Sequence, residues 1–141
     1  MITKEIADFI SANIVGTLCC TVNDSPWCFN YFYLFIEEEG LLVLKSSDDS
    51  RHSAIMKKNC KVAGTILPTN INFAVLQGVQ FEGEVIREEY HRFPSNAAEL
   101  YHKKFPIGAD MPGHIWTIEL GLLKFTDNGK GFGYKSIWNR N

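Results

Sequence analysis

The sequence predicts an antiparallel α+β domain, mainly β, whose strands close or nearly close into a barrel. Six or so segments rich in β-branched and aromatic residues alternate with turn residues, and helical periodicity is confined to the start, one crossover and a late segment. Gly78 and Gly83 interrupt one long hydrophobic segment, where a barrel strand needs a bulge or a close backbone approach. Closure also removes the exposed edges that so strand-dense a chain would otherwise present. No G-x-G-x-x-G run lies between a strand and a helix, which argues against a dinucleotide-type α/β fold.

Each element has a local reason. Thr3 to Asn13 reads as a short amphipathic helix, with Thr3 as N-cap and Ile6, Phe9 and Ile10 on one face. Val15 to Val22 is a strand, closed by the turn residues Asn23, Asp24, Ser25 and Pro26. Trp27 to Ile36 and Leu41 to Leu44 form a hairpin across the Glu37–Glu38–Glu39 run, with Gly40 in the turn. Ser50 to Asn59 is the second helix, and Val62 to Leu67 is a strand that stops at Pro68. Phe73 to Arg87 is long and partly alternating. Ser95 to Lys104 is a third helix, capped by Ser95 and bounded by Pro94 and Pro106. Ile115 to Phe125 is the last strand, and residues 129–135 read as a flexible tail loop.

Composition narrows the function. The 141 residues are 45% hydrophobic and 21% charged, as expected of one domain with a real core. The net charge of −2, from 14 basic and 16 acidic residues, gives no general attraction to nucleic acid or to an anionic membrane. Any anion site must therefore be local. No apolar run approaches the ~20 residues of a membrane helix, and Met1 to Glu5 lacks a signal-peptide layout. Cys19, Cys20, Cys28 and Cys60 show no C-x-x-C spacing and are expected to be reduced, buried thiols in a cytoplasmic protein.

One junction stands out. Where the strand ending at Ser46 meets the second helix, the hydroxyls of Ser46, Ser47 and Ser50, the free N–H groups of a first helical turn and the Arg51 fork converge. His52 adds a donor when protonated, and Lys45 and Lys57 lie close in sequence. Such a corner suits a phosphate. The plain alternative is a capped helix, since Asp48, Asp49 and Ser50 are all good N-caps and two carboxylates would oppose a dianion.

Strand alternation sends Trp27, Phe29, Tyr31, Tyr33 and Phe35 one way and Cys28, Asn30, Phe32 and Leu34 the other. Both faces are largely apolar, so one is expected to meet a partner subunit or a flat ring. Asn30 needs a hydrogen-bond partner there. Gln77 and Gln80 offer paired donors and acceptors to a heterocycle, or simply face solvent. Trp116 and Trp138 are interface residues or lids over a ring. His91, His102 and His114 lack metal-site spacing.

Taken together, residues 27–47, 50–66 and 78–85 resemble the FMN-binding split-barrel superfamily that includes pyridoxamine 5′-phosphate oxidase, with the match running from about Ile14 to Phe125. A closer similarity, to a YhbP-like subgroup, rests on "QGVQF" (77–81), "KFTDN" (124–128) and "GFGYKSIW" (131–138). The resemblance implies a six-stranded antiparallel split β-barrel with short peripheral helices, forming a homodimer with FMN sites at the subunit interface. It assigns the FMN phosphate to Ser46, Ser47, Ser50 and Arg51, with His52 at a usually basic position and Lys45 beside them. It sets Asn30, Tyr31 and Phe32 beside the isoalloxazine ring, Gln77 or Gln80 at its polar edge, and Trp116 or Trp138 of a second subunit over it.

Two departures bear on substrate. Arg140 is not followed by the histidine of the oxidase's R-x-H element, and Leu34 falls where the oxidase has a substrate-contacting lysine. Vitamin B6 oxidation is thus not implied. The expected function is a flavin-dependent oxidoreductase acting on a small organic acceptor. The alternatives are a non-catalytic flavin-binding module and a split barrel that binds haem or a deazaflavin.

Overall fold

Asn23 and Asp24 both take positive φ, 52° and 61°, so the first hairpin turns on two left-handed residues. That backbone matches the right-handed twist of its strands, β1 (Val15–Val22) and β2 (Ser25–Ile36). Gly40, also left-handed at φ 66°, turns β2 into β3 (Leu41–Ser46). The structure, a computed structural model, describes residues Met1 to Asn141. Its other strands are β4 (Lys61–Ile66), β5 (Gln77–Ile86), β6 (His114–Asp127) and β7 (Lys135–Asn139). The helices are α1 (Lys4–Ala12), α2 (Arg51–Lys58) and α3 (Ala97–Lys104).

All pairings are antiparallel, in the order β3-β2-β1-β4-β5-β6-β7, and β3 also pairs with β6. Six strands therefore close a ring, and β7 lies outside it. Strand β6 serves both because it is long: residues 114–119 pair with β3 and residues 122–126 with β7, while β5 follows its other side across a bulge at Glu82/Gly83. The expected six-stranded barrel is present with one strand added. That strand falls partly on the stretch read as a tail loop, whose glycines at 129, 131 and 133 hide a short polar strand after them.

The ring holds the core, with Leu18, Leu42, Leu44, Ile66, Phe81, Ile118 and Leu123 buried inside it. Helix α1 closes one end. Its Ile6 and Ile10 are fully buried, the Phe9 ring lies 5.0 Å from that of Phe125, and the Tyr33 hydroxyl donates to the Ile10 carbonyl at 2.7 Å. Helix α2 contributes Ile55 and Met56 to the same core. Helix α3 covers the outside of β3, where Val43, Ala97 and Tyr101 pack together, and so Leu41 to Leu44 are buried on both faces.

Some sequence expectations shift. Helix α3 starts at Ala97 with Asn96 at the cap position rather than Ser95, and Thr3 makes no side-chain cap bond. Strand β5 starts at Gln77, because the chain turns over residues 72–75, where Asn72 accepts from the Ala74 N–H on its side chain and from the Val75 N–H on its carbonyl. No helix is long and apolar enough to cross a membrane.

Candidate functional site

Strand β2 changes partner along its length. Residues 33–36 pair with β3, whereas residues 25–32 pair with β1 alone. The two-residue turn sets the phase: the flanking pair Val22/Ser25 is hydrogen-bonded, so Trp27, Phe29 and Tyr31 direct their main-chain groups to β1. Those of Cys28, Asn30 and Phe32 point to the free edge. The Tyr101 hydroxyl, which donates to the Phe32 carbonyl at 3.3 Å, takes one of them.

The N-terminus of α2 sits against this half-paired stretch. His52 lies flat on Phe29, centroids 3.5 Å apart at 7°, and the Arg51 guanidinium carbon is 4.0 Å from the centre of the Trp27 ring. Burial depresses the pKa of His52 below its ordinary value of 6.5, favouring the neutral ring, and its Nε2 is 2.5 Å from the Ser46 hydroxyl.

The serines are mostly engaged with the chain itself. Ser50 caps α2 by accepting from the Ser53 N–H at 3.2 Å, and its hydroxyl reaches the Ser47 carbonyl at 2.9 Å. The Ser53 hydroxyl donates to that same carbonyl, and Ser47 Oγ accepts from the Asp49 N–H at 3.3 Å. Two first-turn donors, the N–H groups of Arg51 and His52, have no acceptor within the chain. Arg51 is exposed and makes no ion pair. Asp48 is drawn to Lys57 at 2.7 Å, so its charge is matched by a lysine of the same helix.

A second feature is the uncovered outer face of the sheet. Registers align Asn30, Thr17, Thr65, Gln80 and Lys124 across β2, β1, β4, β5 and β6, with Cys28, Cys19, Ala63 and Glu82 in the next row. Thr17 donates to the Asn30 side-chain oxygen at 2.7 Å. Shallow hollows run along this face, one lined by Thr17, Cys19, Cys28, Thr65 and Gln80 and the next by Val15, Asn30, Leu67 and Thr69. Exposed Val15, Phe32, Leu67, Ile71, Phe73 and Leu76 include the apolar members of its β1–β2 end and the loop after β4.

With this geometry the chain can be compared with known proteins. No family model matches it. It is 36% identical over 132 residues to the UPF0306 protein plu4501 of Photorhabdus laumondii, covering 94% of this chain and 92% of that one. It is 34% identical over 136 residues to the UPF0306 protein YhbP of Escherichia coli, covering 96% and 92%. The chain belongs to the UPF0306 family.

Solved structures agree on the fold of this UPF0306 chain. A haem-binding protein from Mycobacterium smegmatis superposes with a TM-score of 0.76 at 17% identity, over 93% of this chain and 55% of that one. A pyridoxamine 5′-phosphate oxidase-related, FMN-binding protein from Nostoc punctiforme superposes with a TM-score of 0.66 at 9% identity, over 97% and 89%. The split-barrel resemblance and its YhbP-like branch are both upheld.

Within that fold the expected site residues divide. Ser46, Ser47, Ser50, Arg51 and His52 do gather at one corner. Lys45 does not: its ammonium group turns to the Gly108 carbonyl at 2.7 Å and to His102 at 3.0 Å, under the segment after α3. Asn30, Phe32 and Gln80 lie on the open face, but Tyr31 points into the core beside Gly16 and its hydroxyl has no partner. Gln77 is half-buried at the start of β5.

Trp116 and Trp138 both face the barrel side. Trp116 is buried with an unpartnered indole N–H, and half-buried Trp138 packs on the core opposite Leu123. Neither is presented as a lid. Arg140 is engaged too, donating to the carbonyls of Leu120 at 2.7 Å and Glu39 at 2.8 Å. The thiols are not all buried, since Cys28 and Cys60 are exposed. Sequence reasoning missed Thr17 and Thr65, whose signal was their alternation with buried Leu18 and Ile66.

Proposed function

We propose that this protein binds FMN as a homodimer and acts as a flavin-dependent oxidoreductase on a small organic acceptor. The observation that carries the reading is the α2 corner, where Arg51 and two unengaged N–H groups stand next to the free edge of β2. A helix N-terminus and an arginine fork together suit a phosphate dianion. The residues present fit the group in part: of the two carboxylates beside the corner Asp48 is held by Lys57 while Asp49 makes no ion pair, and a strand edge with free N–H and C=O groups leads away from the corner.

Bound flavin would supply the redox chemistry itself. The chain's part is to hold and shield it. Arg51 and the first turn of α2 grip the head group, and the β2 edge with Asn30 offers donors and acceptors to a heterocycle, with Gln80 three strands away on β5. A second copy laid over the apolar fringe of Val15, Phe32, Leu67 and Phe73 would exclude water. Arg140 is occupied by backbone carbonyls, which agrees with a substrate other than a vitamin B6 phosphate.

The likeness to a haem-binding protein keeps a second reading, haem in place of flavin. The open face carries no histidine, so Cys19 and Cys28 would be its candidate ligands. Denaturing the purified protein and identifying the released molecule separates the two. The flavin reading expects FMN with flavin absorbance bands, and a Soret band with released haem would overturn it. Bleaching by NADPH, with reoxidation by an added acceptor, would support catalysis over mere carriage.

A further inference from the structure

Cys19 and Cys28 are direct cross-strand partners in the β1–β2 hairpin. The phase set by the turn makes their pair non-hydrogen-bonded: Val22/Ser25 is bonded, Thr21/Pro26 is not (Pro26 has no N–H to give), Cys20/Trp27 is bonded, and Cys19/Cys28 is not. In that type of pair the Cα atoms approach to about 4.5 Å and the side chains come closest, within the span that a disulfide bridges. Both thiols point to the uncovered outer face and line the same hollow. Cys28 is exposed and Cys19 half-buried beside it. The other two thiols lack such a partner: Cys20 is buried with its sulfur on the Trp27 carbonyl, and Cys60 stands at the start of β4.

We propose that Cys19 and Cys28 form a reversible dithiol–disulfide couple on the open face of the barrel, driven by small-molecule disulfides of the glutathione class. Exposed Cys28 loses its proton and attacks one sulfur of the incoming disulfide, releasing one thiol and leaving a mixed disulfide. Cys19 then loses its proton and attacks the Cys28 sulfur, and the second thiol departs. The two protons end on the two released thiols. The cysteine pair is oxidised by two electrons and the incoming disulfide is reduced by two. Burial and the neighbouring Cys28 both raise the pKa of Cys19 and so lower its thiolate fraction; exposed Cys28 is therefore the first attacker, and Cys19 acts second through its proximity across the strand pair. The couple does not depend on the flavin reading.

The test incubates the native protein with oxidised glutathione, quenches with acid, alkylates free thiols and maps the peptides by mass. The expected product is a Cys19–Cys28 disulfide, two hydrogens lighter and reversed by dithiothreitol. Cys19→Ser should accumulate a lasting glutathione adduct at Cys28, and Cys60→Ser should behave as the wild type. A wild-type protein that stays reduced, stops at a glutathione adduct on Cys28, or bridges any other pair of cysteines would overturn the proposal.

Discussion

His52 carries a pH signature. Burial beside Phe29 makes it resist protonation, and its pKa lies below the 6.5 of a free histidine. Above 6.5 the folded and unfolded states are both neutral there, and the full stability is present. As pH falls below 6.5 the unfolded chain gains the proton first, so stability declines until the folded pKa is passed. Urea midpoints at pH 7.5 and 5.5 should show this loss, and His52→Phe, which keeps the stack, should lose less stability over the same interval. An equal loss in both proteins would remove His52 from the account. A bound phosphate would favour the charged ring instead, so binding at this corner should take up protons and tighten as pH falls from 7.5 to 6.5. At this scale the corner was legible, because the serines, Arg51 and His52 are close in sequence. The departure of Lys45 was not, since its partner Gly108 lies 63 positions away.

Helix α2 and strand β4 test the elements. The Ser50 hydroxyl caps α2, so Ser50→Ala should lower stability by about 0.5–2 kcal/mol while leaving FMN affinity nearly unchanged. A large loss of affinity at unaltered stability would return Ser50 to the ligand. In β4, a Cβ on Gly64 would run into the Phe81 ring and come within 2.5 Å of the Thr17 carbonyl. Gly64→Ala should therefore destabilise by roughly 1–3 kcal/mol through overpacking, read as a shifted denaturation midpoint at constant slope. The hydrophobic strands and the turn chemistry at Asn23, Asp24 and Gly40 were readable because each is a local signal. Strand β7 was not: its five polar and apolar residues follow three glycines, and only pairing with the far half of β6 makes them a strand.

For the whole molecule, the ring closure and the amphipathic first helix follow from sequence pattern, whereas that helix's place at the barrel end and the half-paired β2 do not. Nothing in residues 25–32 announces that β3 will leave them; the register does. That free edge and the apolar fringe beside it are the surfaces a second copy would cover, and native mass measurement should give twice the chain mass. A monomer that retains full FMN affinity would dissociate the site from any interface. The central claim is the phosphate grip at the start of α2, and riboflavin is its natural control because it lacks the phosphate. Titrating both flavins into wild type and Arg51→Ala should show wild type preferring FMN, and Arg51→Ala losing about 1.5–3 kcal/mol, roughly 10- to 150-fold, for FMN but little for riboflavin. Equal affinity of the wild type for the two flavins, or an Arg51→Ala variant that still prefers FMN as strongly, would contradict it.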